Sequence, residues 1–156
     1  MSRWFRKITE DKNDLTPVID AMEAFQREYE GGLPHLQVRG RRIAEVASEI
    51  PSYIEYYNTK MLEVDMILKY LEQLVEERTV EKTMWYMSHY NRALSESTAK
   101  RYAEVHEEVM DLKRIVSEVA VMRNQFLSLT KGLDTLHYQI KNIVTLRSVG
   151  FEDAVF

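Results

Sequence analysis

Residues 112–143 read LKRIVSEVAVMRNQFLSLTKGLDTLHYQIKNI. Within them Leu112, Ile115, Val119, Met122, Phe126, Leu129, Leu133, Leu136, Ile140 and Ile143 follow an unbroken three-four spacing. With Leu112 at a, position a holds Leu, Val, Phe, Leu and Ile, and position d holds Ile, Met, Leu, Leu and Ile. A stripe this long with no polar a or d residue is the mark of a helix that packs along a seam. The register passes through Gly132, which costs about 1 kcal/mol inside a helix without forcing a break.

Two partners for this stripe are open. One is the same chain: Tyr57, Met61, Val64, Leu68, Leu71 and Val75 repeat the spacing in an earlier segment. The other is a second copy. Val116 and Val144 broaden the apolar face, which leads to the expectation that Phe126, Leu129, Leu133, Leu136, Ile140 and Ile143 form an oligomerisation surface.

Outward from the stripe, the remaining chain also reads as helix. Pro17 suits a first helical turn, Asp14 or Thr16 can cap it, and Val18, Met22, Phe25 and Tyr29 share a face before Gly31-Gly32. Residues 33–40 alternate apolar with polar and predict an extended arm or short edge strand. A brief helix over 41–49 is expected to stop near Pro51. The Ser95-Glu96-Ser97-Thr98 cluster predicts a turn and an N-cap. The expected class is therefore all-α: long helices in a hairpin or bundle with a C-terminal oligomerisation helix. Three parts follow: an N-terminal helix and arm over 1–51, a hairpin over 52–131, and a C-terminal helix and tail over 132–156.

Composition narrows the function classes. The 156 residues are 45% hydrophobic and 29% charged, with net charge -4, five Gly, three Pro and no Cys. So little Gly and Pro disfavours a turn-rich sandwich or barrel. The lack of Cys removes disulfide scaffolds, thiol nucleophiles and thiolate zinc sites. No apolar run approaches the roughly 18 residues of a membrane span. The first residues lack the apolar core of a secretory signal. A soluble intracellular protein is the expectation.

The segment after Val75 changes chemistry while keeping its spacing. Arg78, Lys82, Trp85, His89 and Arg92 continue the stripe, with Tyr86 and Tyr90 beside them. Cations interleaved with flat rings suit single-stranded nucleic acid, because cations track phosphates while rings stack on unpaired bases. Ordinary core packing for Trp85 and Tyr86, and a salt-bridge lattice of Arg78 with Glu76, Glu77 and Glu81, remain the competing readings. Further basic clusters lie at Arg3, Arg6 and Lys7 and at Arg39, Arg41 and Arg42.

Catalytic signatures do not emerge from the sequence. The four histidines are scattered, and Asp134-x-x-His137 lacks the second Glu-x-x-His that a di-metal bundle needs. No phosphate loop, nucleophile elbow or His-Glu-x-x-His is present. The expectation is a non-enzyme without metal or cofactor.

Four segments bring a family into view: Tyr90-Asn91-Arg92-Ala93-Leu94, residues 118–127 (EVAVMRNQFL), Lys131-Gly132-Leu133, and residues 138–143 (YQIKNI). Together with Ile50-Pro51 ahead of a tyrosine-rich helix, they resemble the UvsY-like recombination mediators of T-even-like bacteriophages, over roughly the second half of the chain. The resemblance implies a small helical protein of DNA recombination and repair, assembled as a homo-oligomeric ring through its C-terminal helix. It implies sequence-independent binding of single-stranded DNA and loading of a RecA-like recombinase in place of single-strand-binding protein, in the cytoplasm of an infected bacterium. It sets the family's DNA-contacting basic residues near Arg78 and Lys82. The expected strand contacts are Arg78, Lys82, Trp85, Tyr86, His89, Arg92 and Arg101. A structural or adaptor coiled coil without a nucleic-acid role is the alternative.

Overall fold

The computed structural model describes residues 2–90 and 92–151. Its elements are α1 (Arg3–Glu10), α2 (Thr16–Gly32), a 3-10 turn (Leu33–Leu36), α3 (Ile43–His89), α4 (Glu96–Glu104) and α5 (Glu107–Ser148). There is no strand among the described residues, and the long α3 packs against α5. The fold is an all-α bundle.

Two sequence expectations are corrected here. Residues 33–36 form a 3-10 turn rather than an extended arm, because Pro34 sits at the start of the turn and its carbonyl accepts from Gln37 N–H. Pro51 does not end a helix: it lies inside the 47-residue α3. A proline deprives one carbonyl of its N–H donor, and the surrounding turn is supported by Ser48 Oγ to Glu45 O and Ser52 Oγ to Glu49 O. The register through Gly132 belongs to one helix, since α5 runs without interruption from Glu107 to Ser148.

Local chemistry explains the helix starts. Asp14 accepts the Thr16 N–H at 2.9 Å ahead of α2; hydrogen bonding from the Thr16 hydroxyl, and then from this N–H, holds its carboxyl below the usual carboxylate range. Ser95 caps α4 by accepting the Thr98 N–H at 3.3 Å, as its sequence context predicts.

The chain divides into two compact units, Met1–Val18 with Val64–Val121 and Ile19–Glu63 with Met122–Phe156. In the first, Ile8, Val64, Ile67, Leu71, Leu74, Val109, Leu112 and Val119 are buried. Phe5 of α1 meets Tyr70 of α3 edge-to-face at 6.1 Å. In the second, Phe25, Val46, Ile50, Tyr57, Phe126, Leu129 and Leu133 are buried. There Val46 and Ile50 cluster with Leu136 and Ile140.

Every residue of the α5 stripe is buried except Ile115, which is half-buried. The six side chains expected to meet a second copy are among them: Phe126, Leu129, Leu133, Leu136, Ile140 and Ile143 are between 0 and 8% exposed in the single chain. This corrects the expected surface. Burying an aliphatic or aromatic side chain contributes about 1.5–3 kcal/mol, and α2 and α3 already supply that burial within the chain. What this end of α5 and the residues after it leave exposed is a different set: Tyr138, Val144 and Leu146, then Val149 and Phe151.

Candidate nucleic-acid interface

The candidate site lies in the first unit, where α3 ends and α4 begins. Lower on α3 the inward face is apolar and covered, as at Leu71 and Leu74. At Arg78 it becomes polar, and at Trp85 it opens to solvent.

Arg78 and Lys82 are not free cations. The Arg78 guanidinium is 2.9 Å from Glu81 and also donates to the Asn13 side-chain oxygen. Lys82 Nζ is 2.8 Å from Glu108 Oε1 at the start of α5, and this bond holds the Glu108 carboxyl below the usual range. The two cationic side chains are only 22% and 21% exposed, while their carboxylate partners are 48% and 59% exposed. The salt-bridge reading weighed for Arg78 is the geometry observed, although of Glu76, Glu77 and Glu81 only Glu81 makes it.

The rings are in the opposite condition. Trp85 is 50% exposed, with His89 stacked on it at 5.0 Å and 12°. His89 Nδ1 is fixed by the Trp85 carbonyl at 3.1 Å and by Ser88 Oγ at 2.8 Å. Tyr90 stacks on Tyr102 at 5.8 Å and 22°, and these two rings are 48% and 41% exposed. Hydrogen bonding to Tyr102 raises the Tyr90 phenol above its ordinary pKa. Tyr86 lies between the pairs, edge-on to Trp85 at 5.1 Å and tilted against Tyr102 at 5.6 Å. Unlike those rings, it is half-buried.

Arg92, Lys100 and Arg101 flank these rings on the connecting segment and on α4, all exposed. Among the described residues none of the three has a carboxylate within ion-pair distance. The structure thus gathers Trp85, Tyr86, His89, Arg92 and Arg101 around one helical hairpin end. It leaves Arg78 and Lys82 lower on α3, engaged with acids.

Tyr102 and Lys100 are the site residues that sequence reasoning missed. A signal existed: the Ser95 cap fixes the phase of α4, and Ala99 and Ala103 mark its buried face. Tyr102 beside that face could have been paired with the tyrosines across the turn.

No cluster of three or more metal-ligating side chains occurs among the described residues. Among the described residues, no helix is long and apolar enough to cross a membrane. Compared with protein-family models, curated proteins and solved structures, the chain matches none.

Proposed function

We propose that this chain binds single-stranded DNA without sequence preference through the α3–α4 hairpin end, and serves as a recombination mediator. The observation that carries the binding is the pair of exposed ring stacks, Trp85 with His89 and Tyr90 with Tyr102, flanked by three exposed cations with no ion-pair partner among the described residues. Each base stacked on an aromatic ring contributes about 1–3 kcal/mol, and every base has a face to offer. Unpaired cations at the rim release counterions from the strand. The resemblance to UvsY-like mediators supports the rest: exchange of single-strand-binding protein for a RecA-like recombinase, by a protein without catalytic chemistry of its own.

A ring of copies would multiply the hairpin ends along one strand, raising binding by about 10²–10⁴ where all ends can be reached. Such a ring would use the exposed Val144, Leu146 and Val149, since the heptad seam is occupied within the chain.

The competing reading, a structural or adaptor protein, draws on the ion pairs of Arg78 and Lys82 and on the chain's net charge of -4. Fluorescence anisotropy with a labelled oligonucleotide separates the two. Binding at low ionic strength that weakens steeply with added salt is the expected result. No binding at low salt would refute the DNA reading and favour the adaptor.

A further inference from the structure

The first unit contains a cleft of about 400 Å³ lined by Lys12, Asn13, Arg78, Glu108 and Asp111 over an apolar floor that includes Leu74 and Leu112. Its two sides come from the α1–α2 connection and from α5, with α3 between them. Arg78 looks into this cleft, and Lys82, one turn further along α3, stands over its rim through the bond to Glu108.

The asymmetry of exposure is informative. In both ion pairs the cation is held on the bundle wall and the carboxylate reaches over from the solvent side. Glu81 also lies 3.8 Å from Lys12, and Glu77 lies 3.4 Å from the same ammonium. Three cations, Lys12, Arg78 and Lys82, are thus each capped by carboxylates that are roughly half exposed. Exposed pairs of this kind are worth little, because water competes for both partners. A phosphodiester also offers anionic oxygens to Arg and Lys, and Arg is well shaped for it.

We propose that Glu81 and Glu108 act as internal occupants of Arg78 and Lys82, the two cations that the UvsY-like resemblance sets against DNA, so that a phosphate of the strand held at the hairpin end must displace them. This rests on the single-stranded DNA reading and deepens it: ring stacking at Trp85 brings the strand to the rim, and exchange of carboxylate for phosphate extends the grip down α3. The carboxylates hold affinity down, so that a single chain grips weakly. They also mute the salt response. Each phosphate that displaces a carboxylate frees counterions from the strand, but the released carboxylate takes up a cation in turn.

The test compares the full-length chain with Glu108→Gln and Glu81→Gln, using a labelled oligothymidine and anisotropy over a salt series. Glu108→Gln should bind about two- to five-fold more tightly, the span expected when a surface ion pair is given up. Its slope of log affinity against log salt should steepen by about 0.7, one additional phosphate neutralised on a single strand. Glu81→Gln should shift the same way, and it carries the test if Glu108→Gln loses helicity by circular dichroism. Tight binding by all three chains with equal affinity and equal slope would overturn the proposal and leave the hairpin end as the whole site. No binding by any of them at low salt would overturn the DNA reading itself, and this proposal with it.

Discussion

The molecule contains two aromatic clusters, and they behave as opposites. In the second unit Phe25, Tyr29 and Tyr57 surround Phe126 at 6.0–6.3 Å, and Phe126 and Phe25 are 0% and 1% exposed. In the first, Trp85, Tyr90 and Tyr102 are 41–50% exposed. Both clusters draw rings from α3 or its C-terminal end: Tyr57 in the one, Trp85 and Tyr90 in the other. What differs is cover: α2, α3 and α5 close around Phe126, while α3 at Trp85 has no helix laid over its open face. A ring is core or platform according to how many helices reach its level.

The sharpest way to break this comparison is to delete one ring from each cluster. Phe126→Ala should lose about 3–5 kcal/mol of stability, the usual cost of emptying a packed aromatic site. Trp85→Ala should stay within about 0.5 kcal/mol, as surface changes do. Urea denaturation reads both. Equal losses would mean that Trp85 is a core residue, and the platform reading would fall.

The next test moves from stability to binding. Trp85→Ala and Tyr102→Ala should each weaken single-stranded DNA binding by about 1–3 kcal/mol, alike for different base sequences. Phe126→Ala, measured at a temperature where it remains folded, should leave the affinity unchanged. A strand affinity that ignored Trp85 and Tyr102 would place the ligand elsewhere or nowhere.

Packing tightness in the covered cluster can be probed without removing a ring. A methyl at Gly32 would lie 2.5 Å from Leu129 Cδ2 and 2.8 Å from Tyr57 Cζ, whereas one at Gly31 would meet nothing within 4 Å. Gly32→Ala should therefore destabilise by about 1–3 kcal/mol through overpacking. Gly31→Ala, its helical neighbour, should stabilise by about 0.4–1 kcal/mol by restricting the unfolded chain. Two adjacent glycines with opposite signs in one melting experiment would show that the cover around Tyr57 is close-packed. Matching signs would show that it yields.

The contrast also explains what the sequence made legible. The α5 stripe was readable because a three-four spacing over that length has few other uses, and nearly all of its positions are buried. On α3 only half of the stripe points fully inward. Tyr57, Val64 and Leu71 are buried, but Met61, Leu68 and Val75 are half-buried, and Ile67 and Leu74 lie deep. The rotation comes from α1, whose Phe5 and Ile8 add a second neighbour to the first unit. In the sequence Arg3, Arg6 and Lys7 read as a basic cluster, and that pattern masks the helix. Lys82 and Glu108 are 26 residues apart, and Arg78 and Asn13 are 65 apart. Pairings at such separations are set by tertiary packing, which no local pattern reports. The partner of the heptad stripe was undecidable for the same reason, since a seam looks alike whether its other side comes from the same chain or another.

The smallest effect concerns the margin of the covered cluster, where Tyr56 adjoins Tyr57 at 5.1 Å. Tyr56 donates its hydroxyl to Glu28 Oε2 at 2.5 Å, while Lys60 lies 3.6 Å from the other Glu28 oxygen. The bond to the carboxylate pushes the Tyr56 phenol up to about 12, from 10.0. A pKa raised on folding contributes stability that is complete below the unfolded value and is lost as pH climbs through the folded one. The loss should fall between about pH 10 and 12 and be absent in Tyr56→Phe. Because Tyr56 is 43% exposed, water screens the pair, and the contribution should be no more than about 0–1 kcal/mol. Phenolate absorbance during an alkaline titration supplies the check: wild type should show one more late-ionising tyrosine, near pH 12, than Tyr56→Phe. A titration without that late step would mean that Glu28 holds Lys60 alone and that the margin of this cluster is as open to water as the hairpin end.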